Sequence, residues 1–350
     1  MKLFIASFLL VVFTSCKPKA TLKAKHISNV EIITLLEDSL LNVRALEIDA
    51  NGLGSFALSN GKIGGILKNE FEESARLTFE LKHDTIAPNF RALAVTNKAS
   101  FVLGISSPTL LYKISKDSLK LVYKENHPKA FYDSIEFWND LEGIAIGDPT
   151  DECMSIIITR DGGETWVKLN CNNLPKAKDG EAAFAASDTN IKIVGDHTWV
   201  ATGGVSSRVM YSPNKGKTWD VYETPIVQGK STTGMYSIDF YDENNGFAIG
   251  GDYTKPNDTI ANKIRTTDGG KTWQVVANAE GPGYRSCVQY VPNKQGKELV
   301  AVGFKGIDYS SDAGNSWSHL SDASFYTIRF LNDSIAYAAG NGRISKLIFR

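Results

Sequence analysis

Four octets of the sequence place an Asp or Asn, a Gly and a Trp at the same spacing. Aspartates repeated in this way could serve as acids or bases in catalysis, or as oxygen ligands for a metal ion. The tryptophans that close the octets lie between 44 and 54 residues apart, and a period in this range is typical of a repeat architecture. The shared positions are Asp161, Gly163 and Trp166; Asn214, Gly216 and Trp219; Asp268, Gly270 and Trp273; and Asp312, Gly314 and Trp317.

The sequence around the octets favours a structural role for these aspartates over a catalytic one. Apolar alternating runs flank the first octet, with Met154–Ile158 before it and Trp166–Leu169 after it, as in the two strands of a hairpin. An Asp accepts hydrogen bonds from amides within its own turn, and a Gly adopts a positive φ at little cost. We therefore predict that each octet is a hairpin turn held together by its Asp or Asn.

The octets resemble the Asp-box, also called the bacterial neuraminidase repeat, which occurs in β-propellers. The resemblance implies that each octet lies between the third and fourth strands of a blade. It also implies that the octets lie on the face opposite the usual ligand site.

A second phrase, which consists of an apolar strand, a polar turn and a strand ending in Gly, occurs seven times. Helical periodicity is nearly missing, and short apolar runs bounded by Gly, Asn and Asp indicate an all-β fold. The copies are Ala45–Gly61, Ala92–Gly104, Ile135–Gly147, Ala185–Gly203, Ile238–Gly250, Val288–Gly303 and Ile328–Gly340. The sequence thus predicts a seven-bladed β-propeller with four-stranded antiparallel blades. Only three strands follow Tyr326, so we predict that Val30–Leu36 completes the last blade and closes the ring.

The first residues are typical of an export signal. A short apolar run follows Lys2, and the small residues before Cys16 form a cleavage site. The ending Phe13–Cys16 resembles a lipobox, in which Cys16 is lipidated, and the alternative is an ordinary signal peptide cut nearby. We predict an exported lipoprotein on the periplasmic side of a membrane, anchored through its N-terminal lipid only. The predicted parts are a signal peptide in residues 1–16, a tether in residues 17–28 and the propeller in residues 29–350.

The remaining cysteines predict one disulfide. Cys153 and Cys171 lie at equal distances on either side of Gly162, so they would face each other across the first hairpin. In an exported protein this placement favours a disulfide, provided that the strand register gives the required separation. Cys287 lies on a predicted inner strand, where we expect a buried, unreactive thiol.

The whole mature chain resembles the photosystem II assembly and stability factor propellers and their bacterial relatives. This resemblance rests on the octets, on strands of the Gly143–Gly147 type, and on the Gly-rich segment Gly340–Gly342. It implies a non-catalytic propeller that binds assembling protein partners.

The sequence has no Gly-rich dinucleotide fingerprint and no metal-ligand cluster, so we expect no cofactor. Its formal net charge of −1 gives no argument for nucleic-acid binding. The predicted protein is a monomer whose partner is an envelope protein or a glycan.

The alternative function is glycoside hydrolysis, because sialidases share the Asp-box. Sialidase chemistry requires three convergent arginines, a Tyr nucleophile with a Glu base, and an acid–base Asp. Phe90–Leu93 only faintly matches the Arg-Ile-Pro motif of that family, and it lacks the Pro. Xyloglucanase-type propellers use two catalytic aspartates in a cleft between two propellers, whereas this chain is long enough for one ring.

The propeller prediction locates a candidate site on the face opposite the octets. In a propeller, the turn from strand two to strand three and the loop that enters the next inner strand share one face. The candidates collected from those positions are Arg44, Arg91, Asp133, Asp148, Glu181, Asp252, Tyr284 and Arg285. Converging Arg and carboxylate groups would form a ligand site, with Asp148 and Asp252 as the carboxylates of a hydrolase. The alternative is that these groups form salt bridges and turn caps at the rim.

Overall fold

The chain forms a closed ring of seven four-stranded antiparallel blades, as the sequence predicted. The computed structural model describes residues 26–68 and 73–350. The predicted signal peptide, Cys16 and most of the predicted tether lie outside these residues. Within the described ranges, the one helical element is a 3-10 turn at Cys171–Asn173. None of the described residues belongs to a helix with the length and apolar character needed to cross a bilayer.

Blades 1 to 3 follow one another along the chain. Blade 1 contains the second half of β1 (Val30–Ile48), β2 (Gly54–Leu58), β3 (Lys62–Lys68) and β4 (Glu73–Glu80). Blade 2 contains β5 (Phe90–Val95), β6 (Ser100–Gly104), β7 (Thr109–Ser115) and β8 (Ser118–Glu125). Blade 3 contains β9 (Tyr132–Phe137), β10 (Gly143–Gly147), β11 (Ser155–Thr159) and β12 (Val167–Lys168).

Blades 4 to 7 continue the ring. Next come β13 (Glu181–Ala182), β14 (Ile191–Val194), β15 (His197–Ala201), β16 (Gly203–Gly204), β17 (Arg208–Ser212) and β18 (Asp220–Glu223). Of these, β14, β15, β17 and β18 form blade 4, whereas the short β13 and β16 extend the sheet of blade 5. Blade 5 contains β19 (Thr233–Phe240), β20 (Gly246–Asp252), β21 (Lys263–Thr266) and β22 (Gln274–Val275). Blade 6 contains β23 (Cys287–Tyr290), β24 (Leu299–Gly303), β25 (Gly306–Ser310) and β26 (Ser318–Ser321). Blade 7 contains β27 (Thr327–Phe330), β28 (Ile335–Ala339) and β29 (Asn341–Phe349).

The first strand closes the ring in the predicted way. Its first half pairs with β29 from Val30 opposite Phe349 to Glu37 opposite Arg343, and so becomes the outer strand of blade 7. After an irregular stretch, its second half pairs with β2 and becomes the inner strand of blade 1. One strand therefore joins the two ends of the chain and covers an edge that would otherwise be exposed.

The hydrophobic core lies between neighbouring blades, because each blade packs both faces against another sheet. Between blades 2 and 3, Phe101 and Phe137 stack with their ring centroids 4.5 Å apart. Between blades 4 and 5, Trp199 and Phe240 stack with their centroids 3.8 Å apart. The seven inner strands contact one another in a ring around the axis: β1, β5, β9, β14, β19, β23 and β27.

The four octets are the turns between the third and fourth strands of blades 3 to 6. In the first octet, Asp161 accepts hydrogen bonds from the Thr165 amide at 3.0 Å and from the Thr165 hydroxyl at 2.6 Å. Thr159 closes the turn, since its hydroxyl donates to Asp161 and accepts from the Gly163 amide. In the second octet, Asn214 Oδ1 likewise accepts from the Thr218 amide, whereas Asn214 Nδ2 donates to the Thr218 hydroxyl. Both oxygens of each octet carboxylate are therefore bound within their own turn.

The glycine of the octet has a steric role. Gly163 has a φ of +75°, and a Cβ there would lie 2.2 Å from the ring of Phe101 in the preceding blade. Gly314 repeats this relation, with a φ of +85° and a distance of 2.1 Å to the ring of Phe247. Only a glycine satisfies both constraints, because other residues rarely adopt this φ and would collide with the ring. In blades 3 and 6, the octet therefore packs closely against the preceding blade.

Candidate functional site

One segment of blade 4 crosses the propeller axis and closes the channel on the face opposite the octets. This segment, residues 184–190, is called the axial plug below. It follows β13 and precedes β14, and it forms hydrogen bonds to the six other blades. Its partners are Arg44 of blade 1, Arg91 and Leu93 of blade 2, Ile135 of blade 3, Ser237 and Ile238 of blade 5, Ser286 of blade 6, and Thr327 and Arg329 of blade 7.

The plug corrects one part of the sequence prediction. Ala185–Gly203 was predicted to be a strand–turn–strand phrase like the others, but the inner strand of blade 4 begins only at Ile191. Residues 185–190 are instead buried in the axis. Their small side chains, such as Ala185 and Ala186, let the main chain pass between the inner strands.

Asp188 anchors the plug to blades 2 and 3. Its carboxylate accepts hydrogen bonds from the amides of Leu93 at 2.7 Å and Ile135 at 3.2 Å. The residue has a φ of +59°, a conformation that Asp tolerates better than most residues. Burial raises the pKa of Asp188 well above its ordinary value, although the nearby Arg329 opposes this shift.

Arg44 and Arg91 lie side by side above the plug. Arg44 Nη1 donates to the carbonyl of Ala186 at 3.0 Å, and Arg91 Nη1 donates to the carbonyl of Ala185 at 3.3 Å. Neither guanidinium forms an ion pair with a carboxylate of the described residues, and Arg44 Nε is buried without a hydrogen-bond partner. Burial and the charge of Arg44 lower the pKa of Arg91 to about 10. The mouth therefore contains two adjacent cations that are only partly compensated.

The two arginines line a cavity of about 550 Å³ at the mouth of the propeller. Four of the predicted site residues meet there: Arg44, Arg91, Asp148 and Tyr284. The rest of the wall is largely aromatic, with Phe131, Phe184, Tyr236, Tyr253, Phe304 and Tyr326. Arg44 lies over the ring of Tyr326, with its guanidinium carbon 3.8 Å from the ring centroid, so the charged and aromatic parts are continuous.

Two carboxyl groups lie on the blade 3 side of the cavity. Asp148 lines the cavity and accepts a hydrogen bond from the Ala183 amide at 2.8 Å, and burial raises its pKa to about 6. Asp133 lies in the protein interior at the start of β9, and neither oxygen completes a hydrogen bond. Burial and the charge of Asp148 raise the pKa of Asp133 well above its ordinary value, against weaker opposing effects of the Ala185 amide and Arg91.

The other three predicted site residues are bound to partners away from the cavity. Glu181 is buried in an ion pair with Arg208. Arg285 is buried in an ion pair with Asp308. Asp252 accepts hydrogen bonds from the amide and hydroxyl of Thr254 and so caps its own turn. For these three residues, the alternative of salt bridges and turn caps is the one that the contacts support.

Six aromatic residues of the cavity were missing from the predicted site set: Phe131, Phe184, Tyr236, Tyr253, Phe304 and Tyr326. A signal was present for two of them, because Phe304 directly follows the glycine that ends a repeated phrase, and Tyr253 lies three residues after such a glycine. Phe184 belongs to the plug, for which the repeats gave no indication.

Two of the cysteines form the predicted disulfide, and a third is a buried free thiol. Cys153 and Cys171 form a disulfide with a Cα–Cα distance of 5.4 Å, although Cys171 lies in the 3-10 turn and not in a strand. This bond connects the segment after Asp148 to the connection that leads to the plug. Cys287 is buried on β23 as a free thiol. In the described ranges, no group of three or more His, Cys, Asp or Glu side chains is arranged to hold a metal ion.

These features define the protein as a seven-bladed β-propeller with a closed axis and an aromatic, cationic cavity at its mouth. No protein-family model matches the chain, and no curated protein matches it. Among solved structures, it is similar to YCF48 bound to a D1 peptide, with a TM-score of 0.64 and 13% identity over 93% of this chain and 97% of that one.

Two further solved structures widen the comparison. A streptogramin B lyase has a TM-score of 0.64 and 14% identity, over 92% of this chain and 97% of the lyase. The WD40 repeats of RRP9 have a TM-score of 0.63 and 10% identity, over 92% of this chain and 98% of the repeats. At such identities, these likenesses establish the propeller fold alone.

Proposed function

We propose that this propeller is a non-catalytic scaffold whose mouth cavity binds a segment of a partner protein. The observation that carries the proposal is the adjacent pair Arg44 and Arg91, which lines the cavity without a carboxylate ion pair among the described residues. An acidic side chain or a C-terminal carboxylate of the partner would supply the missing charge. Guanidinium groups are well suited to this task, because they bind carboxylates through two parallel hydrogen bonds.

The shape of the site supports a binding role. The cavity is concave and is lined by aromatic side chains with few polar groups, as binding sites commonly are. The similarity to a YCF48 structure that contains a D1 peptide supports the choice of a peptide segment as the ligand class. A propeller ring suits a scaffold, because the seven blades hold the mouth residues in fixed positions.

The proposed location is the cell envelope, with the protein anchored by a lipid on Cys16. The apolar run and the lipobox-like ending of residues 1–16 support this proposal. Labelling of growing cells with an alkyne fatty acid should mark the wild-type protein but not the variant Cys16→Ser. A label that persists in this variant would refute lipidation at Cys16.

Glycoside hydrolysis remains the alternative function, but fewer observations favour it. A hydrolase needs two carboxyl groups that flank the same bond. Asp148 lines the cavity, whereas its predicted partner Asp252 is bound to Thr254 in its own turn. Of the three predicted arginines, Arg285 is paired with Asp308, which leaves two at the cavity. Turnover of a glycan panel that disappears in Asp148→Asn would establish this alternative instead.

The binding proposal can be tested by site-specific photo-crosslinking in the native envelope. A photoreactive residue at position 253, at the cavity, should crosslink a partner, whereas one at the exposed position 119 of an outer strand should not. The double variant Arg44→Gln/Arg91→Gln should abolish the crosslink and keep the thermal unfolding temperature close to that of the wild type. The matched control Lys116→Gln/Lys271→Gln removes the same charge from the exposed octet face. An unchanged crosslink in the arginine variant would refute the proposal.

A further inference from the structure

The mouth of the propeller is chemically two-sided. Val205, Tyr253 and Phe304 lie in the connections between the second and third strands of blades 4, 5 and 6, on the mouth face. Their exposed fractions are 47%, 48% and 37%, which is high for large apolar side chains. In blade 3, the corresponding connection carries Asp148. Three consecutive blades thus present a large, partly exposed side chain on one side of the mouth, and the blade next to them presents a carboxyl group.

Five aromatic rings, two of which are the exposed Tyr253 and Phe304, form a continuous wall. Tyr236 and Phe184 stack in parallel with their centroids 3.9 Å apart. Tyr284 meets Tyr236 edge-to-face at 4.8 Å and meets Phe304 at 5.3 Å. This aromatic wall, defined as Phe184, Tyr236, Tyr253, Tyr284 and Phe304, lines the cavity. An incoming ring could therefore pack in the offset or edge-to-face geometry that aromatic pairs prefer.

The wall adjoins the arginine pair. The guanidinium of Arg44 lies over Tyr326, and Arg44 and Tyr284 line the same cavity. A ligand that reaches both parts must therefore present an anionic group and a large apolar group within a short distance of each other. Neighbouring residues of a peptide provide this combination, whereas a neutral glycan provides no anion.

We propose that the aromatic wall is a second subsite, which binds an aromatic side chain of the partner segment next to the acidic group held by Arg44 and Arg91. This inference rests on the proposed peptide-binding function and specifies which peptides the site would select. The buried members Tyr236 and Tyr284 fix the wall, and the exposed members Tyr253 and Phe304 close over the bound ring. The selected ligand is thus a peptide with an acidic and an aromatic residue close in sequence.

Synthetic peptides can test this subsite by isothermal titration calorimetry with the full chain. Capped Gly/Ser peptides would carry one Asp and one Trp separated by zero to three residues, with Trp→Ala and Asp→Asn versions of each as comparisons. We expect the best spacing to bind at least roughly tenfold more tightly than its Trp→Ala version, because rings in such sites contribute strongly to affinity. Phe304→Ala should remove this advantage of Trp and leave the affinity of the Trp→Ala peptide unchanged. Phe79→Ala, which removes a similarly exposed ring from blade 1, should alter neither affinity.

The possible outcomes separate the two proposals. If the wild type binds the Trp and Trp→Ala peptides equally, or if Phe304→Ala weakens both equally, the aromatic subsite is refuted while peptide binding stands. If no peptide binds, or if sialyllactose binds in place of the peptides, the proposed peptide function itself fails. Loss of binding by every Asp peptide in Arg44→Gln/Arg91→Gln, with the wall intact, supports the division of the mouth into two subsites.

Discussion

The carboxylate of Asp188 accepts a hydrogen bond at 2.7 Å from the amide of Leu93, a residue that lies 95 positions earlier in the chain and two blades away. Its other oxygen accepts a hydrogen bond from the amide of Ile135 in blade 3. A single side chain at the axis thus links blade 4 to two inner strands that follow one another in the ring. The plug that carries Asp188 also supplies the carbonyl groups that bind Arg44 and Arg91, so the mouth cavity depends on the structure of the axis.

The variant Asp188→Asn should destabilise the protein. An amide has one acceptor oxygen, so one of the two buried backbone amides would face an NH₂ group, at a cost of about 1–3 kcal/mol in the free energy of unfolding. Urea denaturation at pH 7 would measure the loss. Asp242→Asn is the matched control, because Asp242 also caps two amides, those of Asn244 and Asn245, but in a surface turn. Equal losses in the two variants would contradict a special role for the axial position.

The octet turns should contribute a pH-dependent part of the stability. Burial alone would raise the pKa of Asp161, but hydrogen bonds from Thr165 outweigh it and lower the pKa to about 2. An unfolded Asp titrates near 3.9, so the folded state favours the charged carboxylate. This stabilisation is present above about pH 4 and is lost as the pH falls towards 2.

Between pH 6 and pH 3, the free energy of unfolding of the variant Asp161→Asn should therefore fall by less than that of the wild type. It should keep the fold at pH 7, because Asn214 holds the equivalent turn of blade 4 through Thr218. Urea unfolding at three pH values would test this, with Asp117→Asn in an exposed turn as the control. An identical pH slope in Asp161→Asn and the wild type would show that the turn hydrogen bonds do not favour the ionised form.

The repeats in the sequence predicted the frame of the molecule but not its axis. The Trp spacing located the turns of blades 3 to 6, because it reflects local periodicity. The last blade has only three strands of its own, and this indicated that Val30–Leu36 pairs with it. The plug has no such signal. Its hydrogen-bond partners lie on six other blades, and a segment of small and polar residues has no period that would distinguish it from a loop.

The same limit explains the partial prediction of the site. Of the residues chosen by their position in the repeat, Arg44, Arg91, Asp148 and Tyr284 line one cavity. It did not reveal that Glu181 and Arg285 turn towards Arg208 and Asp308, because those partners lie on third strands, where the repeat gave no reason to expect a charge. Ion pairing across strands depends on the three-dimensional register, which the order of the phrases does not contain.

Binding of an acidic peptide at the mouth should weaken as the pH rises through 6. Burial raises the pKa of Asp148 to about 6, so its carboxyl group is neutral below that value and negatively charged above it. A charged Asp148 would repel the acidic group held by Arg44 and Arg91, and we expect a roughly three- to tenfold loss of affinity between pH 5 and pH 7.5.

Asp148→Asn should remove this pH dependence and bind at pH 7.5 as tightly as the wild type binds at pH 5. Calorimetric titration of an Asp-containing peptide at both pH values would measure the effect. Asp179→Asn, an exposed carboxylate near the same rim, is the control and should retain the wild-type profile. A pH profile that survives in Asp148→Asn would assign the effect to another group.

The contact between the two chain ends should determine whether the ring is stable at all. Val30 pairs with Phe349, and the Arg350 amide donates to the Asn29 carbonyl at 3.0 Å, so the first half of β1 is the outer strand of blade 7. A chain that starts at residue 38 would lose this strand and expose the edge of β29, and it should lose more than about 5 kcal/mol, comparable to the net stability of a domain. A chain that starts at residue 26 keeps the pairing and should unfold like the full chain.

Circular dichroism during heating would compare the two truncated chains. A synthetic peptide of residues 28–38, added to the chain that starts at residue 38, should restore its cooperative transition. A shorter chain that keeps the wild-type melting temperature without the peptide would show that the ring does not depend on this strand.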